Sequence, residues 1–219
     1  MARITSQLQQ AATSRRNVRL DSPRPRRRRC RFLVCVAAQK NVGVFYTTGS
    51  RTTLKTAEKV VALLNSDSHN EKVNASLVNV RESQDFEEFE CLVLGMPSYK
   101  WGEDPNEFPS ALEFDTIQPP PGDPLDLMGK KCAMFGTGDR VGYGDYYIEG
   151  LARVWRMLDM RGATLVGKVD ASGFEEAVQR SRAIVNGKFL GLPVDDNDEP
   201  EDREAAIEAW VAQVVSELE

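Results

Sequence analysis

Apolar runs and helical repeats alternate along most of the chain. "VGVFY" (42–46) is a short unbroken apolar run, which predicts a strand covered on both faces. In "TLKTAEKVVALLN", which follows, Ala57, Val60, Val61 and Leu64 recur at helical spacing and share one face. "ASLVNV" predicts a second strand, "ECLVLGMPSY" a third and "KKCAMFGTGD" a fourth. "YYIEGLARVWRMLDMRG" predicts a helix with Ile148, Leu151, Trp155 and Leu158 inward and a stop at Gly162. "ATLVGKV" is the fifth strand. A last helix starts near Pro200 and turns Ile207, Trp210, Val211, Val214 and Leu218 to the core.

Strands that are apolar along their length, alternating with helices, imply a parallel sheet covered on both sides. The expected fold is therefore α/β, a doubly wound five-stranded parallel sheet. In such sheets ligands bind beyond the carboxyl ends of the strands, so the loops after strands one, three and four are the candidates for chemistry. One segment departs from the alternation. "DASGFEEAVQRSRAIVNGKFLGLPVDDNDEP", between the fifth strand and the last helix, is too long for an ordinary connection. Within it "KFLGLPV" reads as an extra strand returning to the sheet. There is no internal repeat.

Charge divides the chain in two. Residues 1–39 carry ten arginines and one acid, Asp21, a net of +9; the other 18 basic and 32 acidic residues give −14, for −5 over 219 residues. A basic leader, residues 1–38, is thus joined to an acidic domain, residues 39–219. The leader contains Ser and Thr, holds its acid late and runs through "RPRRRRCRFLVCVAA", a composition of the targeting type. Its apolar run, Phe32 to Ala38, is too short to cross a bilayer, so no membrane insertion is expected. "VCVAA" resembles the end of a chloroplast transit peptide cut near Ala38. A disordered arm that binds nucleic acid and a cloning remnant are the other two readings of the leader; the targeting reading, with no nucleic-acid partner, is the one carried forward. Cys30 and Cys35 lie in the leader. Cys91 and Cys132 fall inside predicted strands and are expected as buried thiols. His69, in "NSDSHNEK", is expected in a solvated loop, and no His/Cys spacing suits a metal.

The first candidate loop ends a strand in hydroxyls: "VFYTTGSRTT" holds Thr47, Thr48, Ser50, Thr52 and Thr53, one glycine and no phosphate-loop lysine. A helix starting near Thr53 offers unpaired N–H groups and the positive end of its dipole. Hydroxyls of Thr48, Ser50 and Thr53 can add donors for a phosphate monoester. Ser and Thr are equally common there as helix caps, and both readings stand. The second loop, "GMPSYKWGEDPNEFP", sets Tyr99 and Trp101 just past a strand end, as plates for a ligand or as aromatics folded back on the core. In the third, "GTGDRVGYGDYY", Gly136, Gly138, Gly142 and Gly144 permit close backbone approach, and Asp139 and Tyr143 lie four apart. Together these loops bring an anion cradle, aromatic plates and a carboxylate to one edge of one sheet. A planar ring system with a phosphate tail fits that edge, and flavin mononucleotide (FMN) is such a molecule.

From Asn41 to the end, the chain resembles a long-chain flavodoxin, on three loops, their order and the long segment near the fifth strand. The resemblance implies FMN as cofactor. It puts the phosphate loop on Thr48 to Thr53, with the hydroxyls of Thr48, Ser50 and Thr53 in the bonding places and Gly49, Arg51 and Thr52 between them. Arg51 stands where the family commonly has Gly, and the following "TLKTAEKV" matches the family's "TEKVAEKI" without gaps. In the second loop Pro97 and Ser98 lead to Tyr99, which takes the place of the aromatic covering one flavin face. The peptide Lys100–Trp101 would lie by flavin N5, with Lys100 where Asn is often found and Gly102 next to it. In the third loop Tyr143 would stack on the other face and Asp139 would lie near the pyrimidine edge; Thr137, Gly138, Gly142 and Asp145 complete that side. "SGFEEAVQRSRAIVNGKFLGL" matches the insertion that separates long-chain from short-chain members, with a few extra residues around Ala177 to Arg180. Its role in the family is partner recognition.

What the resemblance implies is a low-potential one-electron carrier rather than an enzyme. The loops offer no general base or nucleophile beside a substrate space. A reduced flavin held near a phosphate dianion and a surface of net −14 is disfavoured, and ~1.4 kcal/mol of repulsion lowers a one-electron potential by roughly 60 mV. The acidic "GEDPNE" (Glu103, Asp104, Glu107) suits basic docking partners steered by charge. With a plastid leader, the resemblance implies photosystem I as donor and ferredoxin–NADP reductase as acceptor, in the chloroplast stroma, in the place of ferredoxin and as a monomer. The alternative is an FMN-dependent quinone reductase on the same fold, which needs space over a flavin face that Tyr99 and Tyr143 would close. A response-regulator receiver would need acids after the first strand, where this chain has hydroxyls.

Overall fold

The computed structural model describes residues 39–47, 50–98 and 125–218. Four full strands run parallel: β1 (Lys40–Tyr46), β2 (Val73–Asn79), β3 (Cys91–Pro97) and β4 (Lys131–Gly138), in the order β2-β1-β3-β4. The fifth position is made of two pieces. β5 (Thr164–Leu165) pairs with the start of β4, with Lys131 opposite Thr164. The chain then leaves the sheet and forms β6 (Val169–Asp170), β7 (Ile184–Val185) and β8 (Lys188–Phe189), a small antiparallel sheet in the order β6-β8-β7. It returns as β9 (Leu192–Asp195), parallel to the end of β4, with Phe135 opposite Leu192 and Gly138 opposite Asp195. The expected five-stranded parallel sheet is therefore present, and the insertion lies inside its fifth strand.

Both faces of the sheet are covered, which is why its strands are apolar without alternation. On one face Val42, Val44, Val93, Ala133 and Phe135 pack with Ala57, Val60 and Leu64 of α1 (Arg51–Leu64). The later helix of that face runs Pro200–Leu218 and adds Ile207, Trp210, Val211, Val214, Val215 and Leu218. On the other face Phe45, Leu92, Leu94, Met96, Cys132 and Met134 pack with Leu151, Val154 and Leu158 of the helix Gly150–Met160. The insertion closes this second core: Ala171, Val178, Ala183, Phe189 and Leu190 are buried in it. Among the described residues the helices are, in chain order, α1, α2 (Arg140–Tyr143), α3 (Gly150–Met160) and α4 (Pro200–Leu218).

Three local expectations are corrected. The helix expected over 146–162 begins only at Gly150. Ile148 adopts a left-handed conformation (φ 48°), unusual for a β-branched residue, and is fully buried over Gly136, where an added Cβ would lie 2.8 Å from the Ile148 Cβ. Trp155 packs against the core as expected, partly buried. "ATLVGKV" is not one strand: Gly167 (φ 73°) turns the chain out after Leu165, and Val169–Asp170 joins the small sheet. "KFLGLPV" is likewise shared, Lys188–Phe189 to the small sheet and Leu192–Asp195 to the large one. At the seam Gly191 lies so close to β4 that a Cβ there would be 2.1 Å from Met134 O.

Candidate functional site at the carboxyl edge of the sheet

The parallel register sets the loop origins side by side. Tyr46 lies opposite Gly95, Pro97 opposite Thr137 and Gly138 opposite Asp195. The backbone extends each pairing by one residue: Thr47 N donates to Gly95 O (3.1 Å), Ser98 N to Thr137 O (2.8 Å) and Asp196 N to Gly138 O (2.9 Å). Thr47, Ser98, Asp139 and Asp196 thus leave the sheet at one edge.

At the first loop, α1 begins at Arg51, two residues before the expected Thr53, with Ser50 as its cap. A helix leaves the N–H groups of its first turn without intrahelical acceptors. Ser50 Oγ takes that of Thr52 (3.2 Å), so Ser50 does serve as a cap. No acid stands in the first turn, which keeps the positive end of the dipole unopposed. Thr53 is fully buried and its hydroxyl pairs with that of Thr137 (2.7 Å), tying the helix to β4. Thr53 can therefore offer an anion its backbone N–H. Arg51 is exposed, without an ion-pair partner among the described residues. Thr47 is fully buried and its hydroxyl lacks a partner among the described residues, a polar group not singled out from the sequence as a site residue. Thr48 and Gly49 lie outside the described residues.

At the second loop, Pro97 is buried at the end of β3, and Ser98 Oγ accepts from Gly150 N (3.2 Å) at the start of α3. Tyr99, Lys100, Trp101, Gly102 and the acids Glu103, Asp104 and Glu107 lie outside the described residues.

The third loop is defined throughout. Asp139 caps α2, Oδ1 accepting from Gly142 N (2.8 Å) and the carbonyl from Tyr143 N (3.0 Å). An added Cβ at Gly142 would be 2.5 Å from Asp139 Oδ2, so a side chain there would push the capping carboxylate aside. Tyr143 is half-buried at the end of α2. Asp145 stands apart: it pairs with Arg180 of the insertion (2.8 Å) instead of turning to the sheet edge. Four further residues, absent from the sequence reading, surround the loop. Asp195 is fully buried, Asn197 bridges it to Asp139, and Arg140 pairs with Asp198 (2.9 Å). Burial opposes the Arg140 charge, but Asp198, Asp195 and Glu175 outweigh it and hold its pKa above the ordinary value. Burial, then Asp195 and Asp198, push the Tyr147 hydroxyl upward. These residues escape a reading of the sequence because their signal is spatial: Asp195 and Asn197 sit in "VDDNDEP", which reads as a polar turn.

The edge therefore joins an acid-free helix start, a buried hydroxyl without a partner among the described residues, and an Asp139-capped loop that carries Tyr143. That donor set suits a phosphate at the helix start and a flat ring beside the third loop. Among the described residues there is no cluster of metal ligands, and no helix long and apolar enough to cross a membrane.

Comparison with known proteins agrees with this arrangement. The family described as Flavodoxin matches residues 44–210. A flavodoxin of Synechocystis sp. is 30% identical over 173 residues, 79% of this chain and 95% of that protein. Flavodoxin 1 of Azotobacter vinelandii is 31% identical over 182 residues, covering 81% and 97%. Among solved structures, the flavodoxin of Fusobacterium nucleatum bound to flavin mononucleotide has a TM-score of 0.69 at 24% identity, over 82% of this chain and 99% of that one.

Proposed function

The chain belongs to the flavodoxin family, and from that premise we propose that it binds FMN without a covalent link and carries single electrons. Bound FMN supplies the redox chemistry, accepting and passing on one electron at a time. The observation that carries the reading is the junction of the acid-free start of α1 with the Asp139–Tyr143 loop at one sheet edge. By the resemblance, the first turn of α1 and Thr48 would hold the phosphate through N–H and O–H donors, and Tyr143 and Tyr99 would cover the two ring faces and exclude water. Asp139 would lie near the pyrimidine edge, and the Lys100 carbonyl would be the acceptor for a proton at flavin N5. In this reading electrons would enter and leave at the ring edge, without a base or nucleophile from the chain.

The finer reading is a plastid carrier. Residues 1–38 act as a transit peptide, photosystem I is the donor and ferredoxin–NADP reductase the acceptor in the stroma. The composition of the leader and the −14 charge of the remainder support it.

The test begins with the cofactor. The purified protein reconstituted with FMN should be yellow, release FMN alone on heating, and take up two electrons in two separate steps under anaerobic titration. Release of FAD, or no flavin after reconstitution, overturns the proposal. Sustained NADH oxidation with a quinone and no added reductase would select the quinone-reductase alternative. Photosystem I particles that fail to reduce the loaded protein would remove the plastid role and leave the carrier function standing.

A further inference from the structure

Loop 139–143 is anchored from outside. The carboxylate of Asp195, the last residue of β9, is fully buried and takes three N–H donors. Its Oδ2 accepts from Arg140 N (3.1 Å), and its Oδ1 accepts from Asn197 N (2.8 Å) and Asn197 Nδ2 (3.1 Å). The same Asn197 Nδ2 donates to Asp139 Oδ1 (2.9 Å), the oxygen that caps Gly142. Arg140 closes the other side: one guanidinium nitrogen lies 2.9 Å from Asp198 Oδ1, and Nε lies 3.4 Å from Asp195 Oδ2, near enough for attraction but not aligned as a hydrogen bond. A buried carboxylate is tolerated where donors meet its charge. Here every donor belongs to 139–142 or to 195–198. α2 is a single turn, far below the length at which a helix holds itself together, so its orientation comes from these contacts.

We propose that Asp195 and Asn197 are positioning residues that fix the Tyr143 wall of the cofactor site from the far end of the fifth strand. The proposal rests on the FMN reading above. Neither residue needs to touch the cofactor. The pairing of Gly138 with Asp195 sets the height of the anchor, and β9 reaches that pairing only after the insertion has been traversed. The register of this wall is thus set by the pairing of β9 with β4, in the segment that follows the insertion.

Three variants of the full chain test this: Asn197→Ala, Asn197→Asp and Asp195→Asn. FMN dissociation constants, the visible circular dichroism of the bound flavin, and melting of the apoproteins are measured together. Asn197→Ala should weaken FMN about fivefold, the factor matching one hydrogen bond of ordinary net strength. It should alter the visible dichroism while lowering the apoprotein Tm by no more than about 4 °C. Asn197→Asp keeps the shape but sets a third carboxylate against Asp195 and Asp139, so it should weaken FMN at least as much. Asp195→Asn should cost about tenfold or more, since an amide cannot accept on both sides. An Asn197→Asp protein that binds FMN and melts like the wild type overturns the inference. So does a dichroism spectrum unchanged in all three variants. If the wild type itself takes up no FMN, the functional reading falls and this inference with it, and that is seen before any variant is made.

Discussion

A buried hydroxyl is tolerated when it is paired, and the first loop divides its hydroxyls accordingly. Ser50 caps α1, Thr53 bonds Thr137, and Thr47 is left with no partner among the described residues. The buried thiols give a sharper handle at this scale. Burial pushes Cys132 from 9.0 to about 12 and raises Cys91 in the same direction. Below pH 9.0 both folded and unfolded chains keep the Cys132 proton, so its contribution to stability is whole. As pH rises from 9.0 toward about 12 only the unfolded chain ionises, and stability should fall by up to ~1.4 kcal/mol per pH unit for this group. Urea unfolding between pH 8 and 11 checks it. Cys132→Ala should be less stable at neutral pH and show a shallower alkaline slope. The sequence marked both thiols as buried because each sits in an unbroken apolar run. It could not apportion the hydroxyls of the first loop, because a cap, a cross-strand partner and a phosphate donor demand the same residue types.

At the scale of elements, the insertion is part of the core. Phe189 is fully buried and packs edge-on against Tyr147 (6.2 Å between ring centres) and Phe174 (4.8 Å). Ser181 Oγ donates to Tyr147 O (2.7 Å), which ties the same segment to the end of the third loop. Phe189→Ala should therefore destabilise the protein by about 3–5 kcal/mol, as in any well-packed core, measured by denaturant unfolding of the apoprotein. A loss below about 1 kcal/mol would mean that the small sheet is a detachable appendage. The strands β1 to β4 were legible because both of their faces are apolar. The division of the fifth was not: "ATLVGKV" and "KFLGLPV" have the same pattern whichever sheet receives them. The small hairpin did have a local mark, Asn186-Gly187 between β7 and β8, with φ of 54° and 73°, the pair that two-residue hairpins favour.

For the whole molecule, the parallel order β2-β1-β3-β4 with a fifth position was implied by the alternation of strands and helices, and with it the edge where the loops converge. A chain starting at Gln39 should bind FMN as the full chain does and melt within about 2 °C of it, if residues 1–38 act only as an address. Lys40 must be kept, because its ammonium group donates to Leu218 O at the end of α4 and so joins the two termini of the domain. Calorimetry of both forms checks this, and a large loss of stability on truncation would give the leader a structural part.

The broken fifth strand also bears on behaviour in concentrated solution. It forms one border of the large sheet, where unpaired N–H and C=O groups could recruit a second molecule. A continuous apolar strand there would be a template for edge-to-edge association. Instead the border consists of a two-residue piece and a four-residue piece, and the longer one contains Pro193, which has no N–H to offer. The detour that builds the small sheet thus also interrupts a sticky border, and the strand piece that carries Pro193 ends in Asp195, which braces the third loop.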